Sequence, residues 1–285
     1  MDIVDFLIFL AVVWIIGAIV SDFKNREVPN WLNFSLIAFA LSARFFYSIF
    51  SNDYRFILYG LIGFGIFFVI ANIFYYARFF AGGDAKLLMS LGAIIPFSVD
   101  WYESLLIGFV FLILLLVAGV FYSLIYSGTL SFIHRKKFAK DFIDRAKKNK
   151  IYFLIGVSFL ILFSLVSIIF QDFLLLVFGG LVFIFPILYV YVKSVEQSCM
   201  IIRKSPGRLS VGDWLAKEIN VGGRKIKPSW EGLSEREIKL IQKHCKNDVL
   251  IKDGIPFTPS FLIAFGGLIY IKYFFGSNWG LWNLF

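Results

Sequence analysis

Two acids stand apart in an apolar chain: Asp22, in the stretch Ser21-Asp22-Phe23-Lys24-Asn25-Arg26, and Asp84, preceded by Phe80-Ala81-Gly82-Gly83. Carboxyl groups that meet at close range cannot both ionise comfortably, so they share one proton and titrate as a unit. Such a pair can hold a water between them. The ionised member takes a proton from that water as it attacks a peptide carbonyl, and the protonated member donates to the carbonyl oxygen. Gly82 and Gly83 suit this chemistry, because a residue without Cβ lets an extended substrate backbone approach the acids. A helix start at Asp84 would place that acid at a positive dipole end, which opposes the upward push of a neighbouring carboxylate. The residues alone leave either acid as carrier of the shared proton. They also leave plainer readings open: Asp84 as a helix N-cap behind a Gly-Gly turn, and Asp22 paired with Lys24 or Arg26 among lipid headgroups.

Other hydrolytic solutions are missing from the sequence. It holds no H-E-x-x-H, no G-x-S-x-G and no G-K-[ST] pattern. Cys199 and Cys245 form no C-x-x-C pair, and with His134 and His244 they are too few for a zinc site. No metal and no cofactor is expected.

The elements that must position the acids are membrane helices. Of 285 residues 59% are hydrophobic and 16% charged, too little polar surface for a soluble globule. Apolar runs long enough to cross a hydrocarbon layer about 30 Å thick occupy residues 6–20, 31–50, 56–77, 104–126, 151–170, 173–192 and 257–275. A shorter run, 85–97, holds Pro96 near its end and makes an eighth candidate. The first run follows Asp2 and Asp5 and precedes no small-residue cleavage site, so it is expected to stay in the mature protein.

The expected fold is an all-α polytopic membrane protein of about eight transmembrane helices with a small α+β cytoplasmic module. It divides into a catalytic core at 1–126, a basic amphipathic segment at 127–150, a transmembrane hairpin at 151–192, the module at 193–256 and a last helix at 257–285.

The formal charge of +9 reports orientation. Segments 21–30, 78–86, 127–150 and 193–256 hold 25 of the 28 Lys and Arg, leaving Arg44, Arg55 and Lys272 elsewhere. The positive-inside rule then puts those segments in the cytoplasm and both termini outside. Asp22 and Asp84 fall at the same inner face. The basic surplus implies contact with anionic membrane lipid, and with no nucleic-acid-binding motif it implies no nucleic acid.

Three polar segments matter locally. Val28-Pro29 forces an extended step before Asn30, which is placed to cap the next helix. Phe132, Ile133, Phe138, Phe142 and Ile143 recur at helical spacing among Lys and Arg, the pattern of a helix lying at the headgroups. The module shows a hairpin signal at residues 220–224 and a capping box, Ser234 with Glu237, opening a helix. Gln171-Asp172 reads as a tight outer turn.

The stretches Asp22-Phe23-Lys24-Asn25-Arg26-Glu27-Val28-Pro29-Asn30 and Ala81-Gly82-Gly83-Asp84-Ala85-Lys86 resemble the two catalytic stretches of the G-x-G-D membrane aspartyl peptidases, specifically the archaeal prepilin and preflagellin (pre-archaellin) peptidases. Gly212-Asp213-Trp214-Leu215 and Gly254-Ile255-Pro256-Phe257-Thr258-Pro259 resemble the later part of longer members. The resemblance implies Asp22 and Asp84 as the catalytic dyad, Gly83 and Gly82 as the residues shaping the substrate approach, and removal of leader peptides from type IV pilin-like or archaellin precursors at the cytoplasmic face. Two departures accompany it. Ala81 stands where the first Gly of the motif is expected, and the cysteine-rich zinc region of bacterial relatives is missing, so methyltransferase activity is not implied.

Two readings from other classes compete. A proton- or cation-coupled transporter would use the acids as a relay, although such acids usually sit near the bilayer midplane. A noncatalytic assembly factor would dock a partner through the module, with Asp213-Trp214 as a contact.

Overall fold

The apolar runs become helices because a backbone in hydrocarbon must satisfy its own N–H and C=O groups. The computed structural model describes residues 3–98, 100–245 and 247–274, so Met1, Asp2, Val99, Lys246 and the stretch 275–285 of the last expected helix lie outside the described residues. Helices α1 (Ile3–Asn25), α2 (Asn30–Ser51), α3 (Arg55–Tyr76), α5 (Trp101–Ile133), α7 (Lys150–Phe170) and α8 (Phe173–Ser198) are long and apolar enough to cross a membrane. Two shorter helices, α4 (Gly82–Gly92) and α10 (Pro259–Phe274), join them, and the protein is a polytopic helical membrane protein. The chain forms two compact units, residues 1–125 with 255–285 and residues 126–254.

In the first unit, α1 lays Leu7, Ala11, Ile15 and Ala18 on one fully buried stripe, and Asp22 continues that stripe at the helix's C-terminal end. Spacings of three and four keep these side chains on one helical face. Helices α3 and α4 meet through glycines. A Cβ built on Gly63 would sit 2.5 Å from the Gly92 carbonyl oxygen, so only a bare backbone permits the crossing.

The 85–97 run is expected as one helix but stops at Gly92. Pro96 supplies no N–H and keeps Ile95 out of the helical region. The carbonyls freed by this break are taken by Arg44, which donates to Ala93 (2.7 Å), Ile94 (2.8 Å) and Pro96 (2.5 Å) and also to Phe56 (2.9 Å). Its guanidinium lies 4.3 Å from the Phe56 ring centre, and the whole side chain is buried. Helix α2 differs from expectation at its start as well: Asn30 is its first residue, Pro29 holds the cap position, and the Asn30 side chain turns to Lys86.

In the second unit, the tail of α5 runs without a break to Ile133, and α6 (Arg135–Lys148) follows. Asp172 caps α8 through Leu174 N–H after a left-handed Gln171, as a tight turn requires. Strands β1 (Ile201–Lys204), β2 (Trp214–Leu215) and β5 (Val249–Lys252) form an antiparallel sheet in the order β1-β5-β2, with Ile202 opposite Ile251. Strands β3 (Ile219–Val221) and β4 (Arg224–Ile226) make the hairpin, its turn built on left-handed Gly222 and Gly223. Helix α9 (Glu235–His244) opens with the Ser234–Glu237 capping box and buries Ile238 and Ile241 in the module's core. Asp213 is held inside this module by Lys204 at 2.7 Å and by the Ser210 N–H, while Trp214 stays partly exposed.

Candidate active site

Asp22 sits in the last full turn of α1, buried because it prolongs an apolar stripe. The chain reverses just beyond it. Arg26 adopts a left-handed φ of 58° while its N–H bonds the Asp22 carbonyl, and the Ser21 hydroxyl bonds the Glu27 carbonyl. This fold-back delivers Val28, buried, against the start of α4. A Cβ on Gly83 would lie 3.2 Å from Val28 Cβ and 3.3 Å from its backbone nitrogen, so glycine lets the two acid-bearing segments close on each other. One turn along, Lys86 Nζ donates to Asn30 Oδ1 at 2.6 Å and ties the same two segments again.

Asp84 is the third residue of α4, two positions inside the helix, and Ala81 rather than Asp84 holds the cap position. Asp84 is buried beside Ala85, Leu87 and Leu88. It lies outside the six spanning helices, and burial raises its carboxyl from the ordinary range to about 7. Repulsion from the Asp22 carboxyl adds to that rise, while a backbone hydrogen bond with Ala81 pulls the other way. Asp84 therefore feels the charge of Asp22, and both acids are buried in the first unit.

The other motif positions divide by need. Ala81 is exposed with φ −70° and ψ 162°, a conformation any L-residue adopts, so the methyl group in place of the first glycine strains nothing. Gly82 has only Tyr75 within van der Waals range of a built Cβ, at 3.7 Å. It lines a cavity of about 320 Å³ between α3 and α4, with Phe68, Asn72, Tyr75 and Lys86 among the other walls. Gly83 is the glycine that packing demands.

One neighbour of the pair was not singled out from sequence. Thr258, fully buried, donates its hydroxyl to Asp22 Oδ2 at 2.8 Å, with its backbone N–H making a longer contact of 3.4 Å to the same oxygen. The residue before it, Phe257, packs its ring 5.2 Å from that of Phe80, in the lead-in to α4. Phe261 completes the cluster at 6.0 Å from Phe257 and 6.1 Å from Phe80. The start of α10 thus touches both acid-bearing segments. No local sequence signal carries a contact between positions 22 and 258; the Thr-Pro step opening a helix is the nearest hint. Among the described residues no cluster of three or more His, Cys, Asp and Glu could hold a metal.

Fold and site define a helical membrane protein with a buried acid pair at one mouth of a helix cluster. Residues 8–127, which include both acids, match the model of the type IV leader peptidase family. Over that stretch the chain is similar to that family, in line with the resemblance of its two aspartate motifs. Preflagellin peptidase of Methanocaldococcus jannaschii is 33% identical over 89 residues, 29% of this chain and 38% of that protein. Those of Methanococcus maripaludis and Methanococcus voltae are each 32% identical, over 99 and 91 residues, covering 32% and 31% of this chain and 43% and 38% of theirs. The chain spans less than half the length of these curated relatives. No solved structure gives a significant match.

Proposed function

We propose that the protein is a membrane-embedded aspartyl endopeptidase that removes leader peptides from type IV pilin-like or archaellin precursors at the cytoplasmic face of the membrane. The observation that carries this reading is the burial of both Asp22 and Asp84, close enough that the charge of Asp22 acts on Asp84. In the reaction a water oxygen attacks the scissile carbonyl carbon. Asp22 takes the water's proton and Asp84 gives its own to the carbonyl oxygen, leaving a gem-diol. The C–N bond then breaks, the departing amine collects the proton from Asp22, and a diol proton returns to Asp84. Both acids end as they began, and one water has been added across the peptide bond.

The depth of the pair fits such a substrate. A precursor with a polar leader ahead of a long apolar helix rests its helix in the bilayer and presents the junction at the interface. Six spanning helices support a membrane location, and the distribution of Lys and Arg supports the cytoplasmic side for both acids and for α6, where anionic lipid is the expected neighbour.

The test is cleavage. Purified protein in liposomes is incubated with a pilin-type precursor, alongside Asp22→Asn and Asp84→Asn. Each substitution removes a proton-transfer group worth about 10²–10⁴-fold, so the shortened product should vanish in both. Cleavage retained by either variant removes that residue from the mechanism, and proton or cation uptake without any cleavage replaces the peptidase with a transporter.

A further inference from the structure

We infer that Thr258 is a positioning residue for Asp22: its hydroxyl fixes one carboxylate oxygen as an acceptor and so makes Asp22 the base of the pair and Asp84 the acid. The inference rests on the peptidase reading and assigns the roles within it. Taken as isolated residues, the two acids are interchangeable; the asymmetry comes from a segment 236 positions downstream of Asp22.

Three observations carry it. First, both Thr258 donors converge on Oδ2 of Asp22, the hydroxyl at 2.8 Å and the N–H at 3.4 Å, which leaves Oδ1 for the reacting water. A carboxyl oxygen that already accepts donors is a poor place for a proton, so the shared proton belongs on Asp84. Second, Thr258 directly precedes Pro259, the first residue of α10, so Asp22 faces the positive end of a 16-residue helix. A carboxylate there is favoured by the dipole as well as by the donors. Third, Thr258 is held rigidly. It is fully buried, and Phe257 on its N-terminal side is wedged between Phe80 and Phe261 and against Gly119, where an added Cβ would lie 2.6 Å from the ring. A donor locked by packing keeps its partner within hydrogen-bonding geometry throughout the reaction.

Thr258→Val keeps the shape and removes the hydroxyl donor; Thr258→Ser keeps the donor and removes a methyl group. Each is measured in liposomes with the pilin-type precursor for kcat, KM, the pH dependence of kcat/KM and the thermal midpoint, beside wild type and Asp22→Asn. Thr258→Val should lose about 10- to 100-fold in kcat, the size of one charge-assisted hydrogen bond, with KM little changed. The acid limb of its pH profile should move to higher pH. Thr258→Ser should stay within a few-fold of wild type with an unmoved profile. A Thr258→Val enzyme with wild-type kcat and pH profile overturns the inference. So does a Thr258→Ser enzyme as impaired as Thr258→Val, since the hydroxyl would then not be what matters. If Thr258→Val does not fold, Thr258→Ala replaces it with the same two readings. Failure of wild type to cleave would sink the peptidase reading itself, whereas wild-type cleavage with an indifferent Thr258→Val sinks only the positioning role.

Discussion

Asp84 shows how a residue's place in the fold sets its chemistry. A carboxyl on the surface is ionised well below neutrality, but this one is buried next to a second acid and is pushed up to about 7. On the peptidase reading this is the proton given to the substrate carbonyl, and about half of the molecules hold it at pH 7. As pH rises through about 7, that proton is lost and cleavage should fall with it, because two charged acids have nothing to give the carbonyl oxygen. The linkage to stability has the same sign: between the ordinary carboxyl range and about 7 the folded protein holds a proton that the unfolded chain releases, so stability declines with rising pH. Asp84→Asn cannot ionise, so it should be inactive at every pH yet keep its thermal midpoint nearly level from about pH 4.5 to 7, where wild type drops before levelling off. A midpoint equally flat in wild type would show that Asp84 carries no such proton. Both acids were legible in the sequence because charge in an apolar run is costly and conspicuous. Thr258 was not, since a hydroxyl in a membrane segment is common and its partner lies at the far end of the chain.

At the level of elements, α4 is clamped at both ends by groups of matching sign. Its first turn carries Asp84, and the carbonyls just past its last turn meet the Arg44 guanidinium. A helix presents positive character at its N-terminus and negative at its C-terminus, so acid and base each stand where the dipole favours them. Sequence reading placed Arg44 simply away from the inner face, as one of three basic residues outside the cytoplasmic segments. Its function is instead internal: it satisfies the carbonyls that Gly92 and Pro96 strip from the helix ladder, in a place without water to do so. The early end of α4 was hidden for the same reason, since an apolar run cannot announce that a distant arginine will donate to its unpaired carbonyls. Arg44→Met should therefore destabilise the protein by about 3 kcal/mol or more, the cost of several buried acceptors left without donors. Arg44→Lys should recover only part of this, because an ammonium cannot reproduce the fork that reaches four carbonyls at once. Thermal unfolding in detergent measures both. A methionine variant as stable as wild type would mean that those carbonyls find other donors.

At the scale of the whole molecule, hydropathy and charge made much of the architecture readable. Six long helices arise where continuous apolar runs occur, and the Gln171-Asp172 turn, the Gly222-Gly223 hairpin and the Ser234–Glu237 capping box arise where local chemistry dictates them. These are short-range signals, which is why they survive without tertiary information. Sidedness is a longer-range reading that rests on the concentration of Lys and Arg in alternate segments, and it yields a prediction over the full chain. The two cysteines fall within the segment assigned to the cytoplasm: Cys199, buried at the end of α8, and Cys245, half-buried just after α9. In sealed cells a membrane-impermeant maleimide should leave both unmodified. After permeabilisation Cys245 should react readily and Cys199 slowly, which a Cys199→Ser protein resolves by leaving one thiol to count. Rapid modification of Cys245 in sealed cells would invert the topology. The charge-based tracing counts the short run 85–97 as a crossing too and so puts Asp22, Asp84 and the module on one side; both acids would then move to the outer face with it. The leader of a precursor still held in the cytoplasm could not reach acids placed there, so this labelling result bears on the cleavage proposal as directly as the loss of either carboxyl.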